Sequence, residues 1–149
     1  IKTINFNDLT IEEAFSQMSV AITLEDDIDI SRGDMIVKVN NIPLATQDLT
    51  AMLCWFNEQK ARPKTKYILK HTTNEHKAII REVVYKVDVN AVKRIEGDAE
   101  LNMNDISKVK IRTTAPIMID EYTQNRNTGG FILIDEATNE TVAAGMITN

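Results

Sequence analysis

The sequence predicts an all-β fold, a small antiparallel barrel or sandwich, on three observations. Apolar and polar residues alternate with period two in several segments, and turn-like polar clusters separate these segments. Two later runs, residues 131–134 and 141–147, are continuously apolar, which is typical of strands covered on both faces or of a barrel wall. With 149 residues, 43% of them hydrophobic and 26% charged, the chain can bury a core and is neither disordered nor a membrane span.

The first forty residues contain two strand patterns, one helical pattern and one turn. Apolar residues alternate with polar ones at 20–24 and again at 35–39, which predicts a strand at each place. Thr10-Ile11-Glu12-Glu13 has capping-box spacing and predicts at most one short helical turn near Glu12. Residues 31–34 form the predicted turn into the strand at Met35, with Gly33 taking the unusual dihedral angles.

The middle of the chain predicts further strands. Asp48–Trp55 and Lys77–Glu82 tolerate a helix, but β-branched and aromatic residues nearby favour strands. Residues 83–90 alternate, and Lys108–Arg112 has one basic and one apolar face, as in a half-buried antiparallel strand. The two histidines, at 71 and 76, fit a hairpin connection better than a zinc site, because zinc needs three or four ligands.

No catalytic, cofactor-binding or metal-ligating residue is assigned. Gly129-Gly130 is the nearest approach to a phosphate loop, but the lysine and the following helix are missing, so it predicts a β-turn in which glycine supplies a positive φ. The acidic run at 25–29 lacks the glycine and glutamate of a calcium loop and predicts solvated charge. Cys54, the only cysteine, lies in an apolar run and predicts a buried thiol, which fits a reducing cytoplasm.

The net charge of the chain and its first residues limit the partners that we expect. Seventeen Lys and Arg against 22 Asp and Glu give a net charge of −5, which opposes non-specific binding to nucleic acid and to anionic lipid. The chain begins at Ile1 without a leader pattern, so we expect a piece of a longer protein.

Four blocks of the sequence carry a family resemblance: residues 21–34, 86–90, 125–135 and 141–147. Together they resemble the later part of sulfate adenylyltransferase subunit 1, the GTPase subunit of bacterial ATP sulfurylase, and the last block also resembles the end of elongation factor Tu. The resemblance implies a translation-factor-like antiparallel β-barrel, of the elongation factor Tu domain 3 type, at residues 35–149. It implies that residues 1–34 are the last strands of a second β-barrel domain.

The resemblance also implies a function for the whole protein. Such a protein couples GTP hydrolysis to the formation of adenylyl sulfate and pyrophosphate from ATP and sulfate, in sulfate assimilation. GTP and Mg²⁺ would be held by a GTPase domain that has no matching residues here, so the fragment itself is expected to be non-catalytic and to need no cofactor. The expected partners are its own GTPase domain and sulfate adenylyltransferase subunit 2, in the cytoplasm. Whether an adenylylsulfate kinase domain follows stays open.

The candidate contact surface is the loop that carries Tyr122, Asn125, Arg126 and Thr128, because aromatic and arginine side chains are enriched at interface hot spots. The alternative is that these residues only order a long connection. The sequence departs from the family at Ser16–Ser19, where a glycine is usual in the turn before the strand, so the turn geometry there is open.

Two further alternatives concern partners. An RNA-binding translation-factor barrel is the rival function, and its signal is the basic stripe of Lys108, Lys110 and Arg112. An incomplete second barrel would leave unpaired strand edges, so we expect residues 1–34 either to dock on the barrel or to form a dimer.

Overall fold

The chain folds almost entirely into β-strands. The computed structural model describes residues 1–61 and 64–148; Arg62, Pro63 and Asn149, which fall within the predicted 35–149 barrel, lie outside them. Contacts divide the chain into two compact units, Ile1–Asp34 and Met35–Asn149. The assignment of the first unit to the end of a second barrel stays a prediction.

The strands of the two units have the following bounds. The first unit contains β1 (Thr3–Phe6), β2 (Leu9–Ile11) and β3 (Ala21–Thr23). The second contains β4 (Leu44–Trp55), β5 (Lys66–His71), β6 (Asn74–Asp88), β7 (Lys93–Ile95), β8 (Ile106–Ile119), the helical turn α1 (Arg126–Gly129), β9 (Gly130–Asp135) and β10 (Thr141–Ile147).

Six strands of the second unit form a closed antiparallel barrel. Their order is β5-β9-β10-β4-β8-β6, and β5 pairs with β6 to complete the ring. The short β7 pairs with the end of β6. The predicted all-β barrel is confirmed, and every strand of the ring has a neighbour on each side.

Alternate residues of the strands fill the barrel, as the period of a β-strand requires. The inward positions of β4 are Leu49, Ala51, Leu53 and Trp55, each at most 2% exposed. The Trp55 ring meets Tyr67 edge to face, with centroids 5.7 Å apart. Burying one large apolar side chain contributes about 1.5–3 kcal/mol, so this interior is the main source of stability in the second unit.

The strands predicted at residues 108–112, 131–134 and 141–147 all form, as parts of β8, β9 and β10. Val109 and Ile111 lie in the core, whereas Lys110 between them is exposed. The hairpin predicted at the two histidines also forms, with His71 paired to Asn74 across the β5–β6 turn.

β6 forms where alternation predicts a strand, but its faces differ from the predicted pattern. Its pairing with β8 shifts register at residues 80–82 and again at 83–85. Each shift changes which side chains point inward. The alternation of residues 83–90 predicts Lys86 on the polar face, opposite Tyr85 and Val87, but Lys86 is 5% exposed and the other two are half-buried.

Two carboxylates compensate the buried ammonium of Lys86. Its Nζ lies 2.7 Å from Asp98 Oδ2 and 2.8 Å from Asp105 Oδ2. Desolvation pushes the pKa of Lys86 down, but the hydrogen bonds and charges of Asp105 and Asp98 outweigh it, so the pKa lies above its ordinary value. The hydrogen bond from Lys86 lowers the pKa of Asp98. Burial raises the pKa of Asp105, yet bonds from Lys86 and Asn102 bring it below its ordinary value.

The loop between these two aspartates covers part of the core. Leu101 is 1% exposed and belongs to the buried apolar cluster of the barrel. Its carbonyl accepts a hydrogen bond from the Ala61 amide at 3.1 Å, and the Asn104 amide donates to the Trp55 carbonyl at 2.7 Å. Lys86 therefore ties both ends of a loop that contributes a core residue.

The first unit is a three-stranded antiparallel sheet in the order β2-β1-β3. Asn7 and Asp8 join β1 to β2 with φ of 47° and 64°, the left-handed pair typical of a type I′ hairpin turn. β3 confirms the strand predicted around Ile22. None of residues 1–34, all of which the structure describes, is buried.

The helical turn predicted near Glu12 is wrong. Leu9–Ile11 instead forms β2 and pairs with β1. The Thr10 hydroxyl, which the capping-box spacing assigned to a helix N-terminus, donates to Asn5 Oδ1 at 3.0 Å across the hairpin. A local hydroxyl bond of this kind competes with helix formation, and here the hairpin uses it.

The turn before β3 keeps the geometry that normally calls for glycine. The Met18 amide donates to the Phe15 carbonyl at 3.2 Å, and Gln17, the third residue of this turn, has a φ of 77°. A positive φ at that position defines a type II turn, in which glycine is preferred. For a side chain with a Cβ the left-handed region costs about 1–2 kcal/mol, so this turn is strained.

The strand predicted at residues 35–39 does not form. Residues 31–34 make the predicted turn, in which the Asp34 amide donates to the Ser31 carbonyl at 3.0 Å and Gly33 has a φ of 108°. Beyond the turn Val37 and Val39 are exposed and unpaired. An alternating segment becomes a strand only where an edge is available, and the closed barrel offers none.

Candidate functional site

An open groove of about 610 Å³ lies on the outer face of the barrel, over the neighbouring strands β5, β9, β10 and β4. Lys70, Ile132, Ala144 and Cys54 follow one another across these strands as directly paired residues. We name this surface the outer groove and define it by seven outward side chains and two loop residues: Met52, Cys54, Lys70, Ile106, Ile132, Ala144, Met146, Tyr122 and Arg126.

The outer groove explains the continuously apolar runs in the sequence. In β9 and β10 the inward residues Phe131, Leu133 and Val142 already fill the core. The outward residues Ile132 and Met146 are apolar as well, and Met146 is 43% exposed. The barrel wall is therefore apolar on both faces here, which is typical of a wall covered by another element or protein.

A short rigid loop borders the outer groove. Asn125 caps α1, since its side-chain oxygen accepts a hydrogen bond from the Asn127 amide at 3.1 Å. The Asp120 carboxylate accepts a bond from the Thr128 hydroxyl at 2.5 Å and one from the Asn125 amide group at 3.5 Å. The Tyr122 amide donates to the carbonyl of Ile147 in β10 at 3.0 Å, so the loop is fixed to the barrel.

Thr128 anchors the loop from below. It is 9% exposed, and its carbonyl accepts a 2.7 Å bond from Nε2 of His71, which is 1% exposed. Because a carbonyl can only accept, the imidazole carries a proton on Nε2. His71 thus has a structural role that the hairpin prediction did not include.

The β-turn predicted at Gly129-Gly130 is wrong. Gly129 is the last residue of α1, and Gly130 has an ordinary φ of −106°. Glycine is needed at 129 because a Cβ there would lie 2.3 Å from the Tyr122 Cα. The requirement is close backbone approach, and that approach holds Tyr122 in place.

The structure separates the four candidate contact residues into two pairs. Tyr122 and Arg126 line the outer groove, with the Arg126 guanidinium carbon 6.0 Å from the centre of the Tyr122 ring. Asn125 and Thr128 lie outside its lining and hold the loop in shape. Whether any of them forms an interface stays a prediction.

The basic stripe on β8 is largely neutralised. Lys110 Nζ lies 2.8 Å from Glu82, and Arg112 lies 3.0 Å from Asp48. Within residues 1–61 and 64–148, only Lys108 of the three has no ion pair, and it is half-buried beside Met52. One free cation is a poor match for a phosphate backbone, so the stripe loses most of its value as a nucleic-acid signal.

The expectation that the fragment needs no cofactor stays a prediction. No three His, Cys, Asp or Glu side chains among residues 1–61 and 64–148 are grouped to hold an ion. Cys54 is half-buried in the outer groove rather than buried as predicted. Across the same residues no helix has the length and apolar character to cross a membrane.

The fold defines the class to which this barrel belongs. Residues 48–148 match the family described as GTP-eEF1A C-terminal domain-like, and the chain belongs to that family. Two solved structures of sup35 share the fold: the GDP complex with a TM-score of 0.82 and 17% identity, and the GMPPNP complex with 0.83 and 16%. The chain matches over 99% and 98% of its length, in each case covering 36% of the sup35 chain.

Within that class the chain is homologous to sulfate adenylyltransferase subunit 1. It is 46% identical over 92% of its length to the "Bifunctional enzyme CysN/CysC" of Mycobacterium tuberculosis (strain ATCC 25618 / H37Rv), covering 22% of that protein. It is 43% identical over 91% of its length to "Sulfate adenylyltransferase subunit 1" of Alteromonas mediterranea, and 39% identical over 99% to that of Bacteroides fragilis, covering 29% and 31% of them. The chain thus spans less than a third of these relatives, and the resemblance predicted from its sequence is confirmed.

Sequence reasoning did not select the strand residues of the outer groove. Met52 and Cys54 lie on β4, far along the chain from the loop at 122–126, and only barrel closure brings them together. The available signal was the apolar character of both faces of β9 and β10, which indicated a covered wall but not its extent.

Proposed function

We propose that this chain is the non-catalytic C-terminal β-barrel region of the GTPase subunit of a sulfate adenylyltransferase. Its role is to contact its own GTPase domain and subunit 2 of the enzyme. The identity of 39–46% over nearly the whole chain to proteins of that name supports the assignment. The full protein would couple GTP hydrolysis to the formation of adenylyl sulfate in the cytoplasm, with GTP and Mg²⁺ held in the nucleotide domain.

One observation carries the contact role: a barrel wall that is apolar on its outer face beside a rigid loop presenting Tyr122 and Arg126. Methionine, tyrosine and arginine are enriched at protein interfaces, and the outer groove contains all three. The loop is held by Asp120, Thr128 and His71, so presenting these side chains requires little further ordering.

Rigidity suits the proposed role. A closed barrel moves as a body, and contacts between domains of one chain are modest in area and polar enough to rearrange. A change in the nucleotide domain could therefore reposition the whole barrel without deforming it. Catalytic groups stay in the other domain and in the partner subunit.

The test uses the full-length GTPase subunit that contains this chain, with Arg126→Ala. We expect association with subunit 2, measured by calorimetry, to weaken about tenfold, since truncating an interface arginine costs roughly 1–2 kcal/mol. GTP-stimulated formation of adenylyl sulfate should fall in parallel when subunit 2 is limiting.

Arg81→Ala is the matched control. Arg81 is an exposed arginine of the same barrel, on β6, outside the lining of the outer groove. Normal association and normal GTP stimulation of the Arg126→Ala protein would contradict the proposal.

A further inference from the structure

We propose that the outer groove binds an acidic, apolar protein segment: an aliphatic or aromatic side chain flanked by aspartates or glutamates. The inference rests on the proposed function for the position of the contact surface and adds the chemistry of the partner. It follows from the charge, the shape and the side chains of the groove.

The charge of the outer groove is opposite to that of the chain. The whole chain carries −5, but the charged residues that line the groove are Lys70 and Arg126, with no carboxylate among them. Lys70 pairs with Glu75 at 2.9 Å, whereas the Arg126 side chain lies over the Tyr122 ring and forms no ion pair among the described residues. Lys108 lies directly across from Met52 and has no ion pair in the described part of the chain. Arg126 in the groove and Lys108 next to its lining are thus two cations without an ion pair among the described residues, and they favour carboxylates in the partner.

The floor of the outer groove is apolar and adaptable. Met52, Met146 and Ile132 supply most of it, and methionine side chains repack around partners of different shape. The Tyr122 ring forms one side of the groove, and the Arg126 guanidinium lies over that ring. An apolar anchor between these side chains would leave its flanking carboxylates near Arg126 and Lys108.

Other occupants fit less well. The barrel is closed, so a peptide cannot add as an extra strand and must bind through side chains. A groove this open, with few convergent polar groups, does not enclose a small molecule. RNA needs a run of free cations, and Lys110 and Arg112 are already paired with carboxylates.

The experiment observes the methionine methyl groups of this chain by NMR with carbon-13 labelling. The probes are a ten-residue synthetic peptide of leucine, phenylalanine, aspartate and glutamate, a twin with lysine in place of every acidic residue, and a twelve-nucleotide single-stranded RNA. We expect the acidic peptide to shift Met52 and Met146 saturably below 1 mM, and the shifts to weaken as salt is raised. Met103 and Met118, 49% and 44% exposed, are internal controls that should stay unchanged.

Charge reversal sharpens the result. Arg126→Glu should weaken binding of the acidic peptide at least tenfold, whereas Arg81→Glu should leave it unchanged. Absence of saturable shifts at Met52 and Met146, or equal binding of the lysine twin, overturns the proposal. Shifts caused by the RNA instead would identify a nucleic-acid surface and overturn it as well.

The two proposals fail separately. If Arg126→Ala leaves association with subunit 2 intact while the acidic peptide still binds the groove, the assignment of the partner is wrong and the chemistry of the groove stands. If association weakens but the acidic peptide does not bind, the surface is right and the inferred partner chemistry is wrong.

Discussion

The two units of this chain are built from the same alternating patterns but differ in how far they bury their side chains. In the barrel, each strand of the ring has neighbours on both sides and side chains such as Leu53 and Leu69 are at most 1% exposed. In residues 1–34, three strands of three or four residues form an open sheet in which no side chain is buried. Alternation therefore specifies which face of a strand is apolar, whereas closure of the sheet determines whether that face is buried.

The largest expected effect is a loss of stability in the barrel, compared with a much smaller loss in the sheet. Leu53→Ala should lower the free energy of unfolding of the barrel by about 2–5 kcal/mol, because the removed atoms leave a cavity in a closed interior. Leu9→Ala, at a leucine 68% exposed in β2, should change the free energy of unfolding of the sheet by less than about 0.5 kcal/mol. Urea titrations followed by the fluorescence of buried Trp55 measure the loss in the barrel, and hydrogen exchange of the amides in β1 and β2 measures the loss in the sheet. Equal losses in the two variants would show that the units do not differ in this way.

The second effect concerns Lys86, a charged side chain that is buried in the barrel. Lys86→Met should destabilise the barrel by about 2 kcal/mol, less than the roughly 3–5 kcal/mol lost when a fully buried pair is broken, because both aspartates reach solvent. Hydrogen exchange should also become faster in the amides of residues 98–105, which Lys86 ties at both ends. Glu82→Gln, which breaks an exposed ion pair with Lys110, is the control and should leave that loop unchanged.

The same cluster predicts a pH dependence of stability. The folded pKa of Asp105 is below its unfolded value, so its contribution is present above about pH 4 and is lost as the pH falls through the folded pKa. The folded pKa of Lys86 is raised, so its contribution is complete below about pH 10 and is lost as the pH rises through the folded pKa. Urea midpoints measured from pH 2 to 11 should decline at both ends, and Lys86→Met should flatten both declines. An unchanged profile in the variant would rule out this cluster as the cause.

The smallest expected effect is a gain of stability in the sheet of residues 1–34. Gln17→Gly should stabilise residues 1–34 by roughly 0.5–1 kcal/mol, because glycine accepts a φ of 77° without strain but loses more chain entropy on folding. Amide exchange at Ala21 and Ile22 should slow, with no change at Leu69 in the barrel. Gln17→Ala keeps the Cβ and should give no such protection.

The alternation of apolar and polar residues predicted the barrel strands well, because pairing with the neighbouring strands favours the same extended conformation. The failures occurred where a partner decided the outcome. The spacing at Thr10 predicted the start of a helix, but the Thr10 hydroxyl forms a hydrogen bond within a β-hairpin instead. Residues 35–39 alternate as a strand would, but no free strand edge of the barrel is available for them to pair with. The burial of Lys86 depends on two bulges in β6, and the spacing of residues in the sequence does not predict them.

The candidate site divides in the same way. Tyr122 and Arg126 could be selected from residue type and loop position, because aromatic and arginine residues are enriched at interface hot spots. Their separation from Asn125 and Thr128 could not, since it depends on the Asp120 and His71 bonds formed across the fold. Met52 enters the groove only through its pairing with Met146 in the closed ring.

Barrel closure also has a consequence for how the chain acquires its fold. β4 lies between β8 and β10, so Leu44 pairs with Ile119 and Ala51 with Ile147. As a ribosome makes the chain from its N-terminus, β4 is completed long before either neighbour exists. In the ring, only the β5–β6 and β9–β10 hairpins join strands close in sequence, and contacts between distant residues slow folding to milliseconds or seconds. Until β8 emerges, β4 is a long nascent strand with both edges open, and one edge stays open until β10 follows. A chaperone that shields β4 would therefore act during synthesis rather than after it.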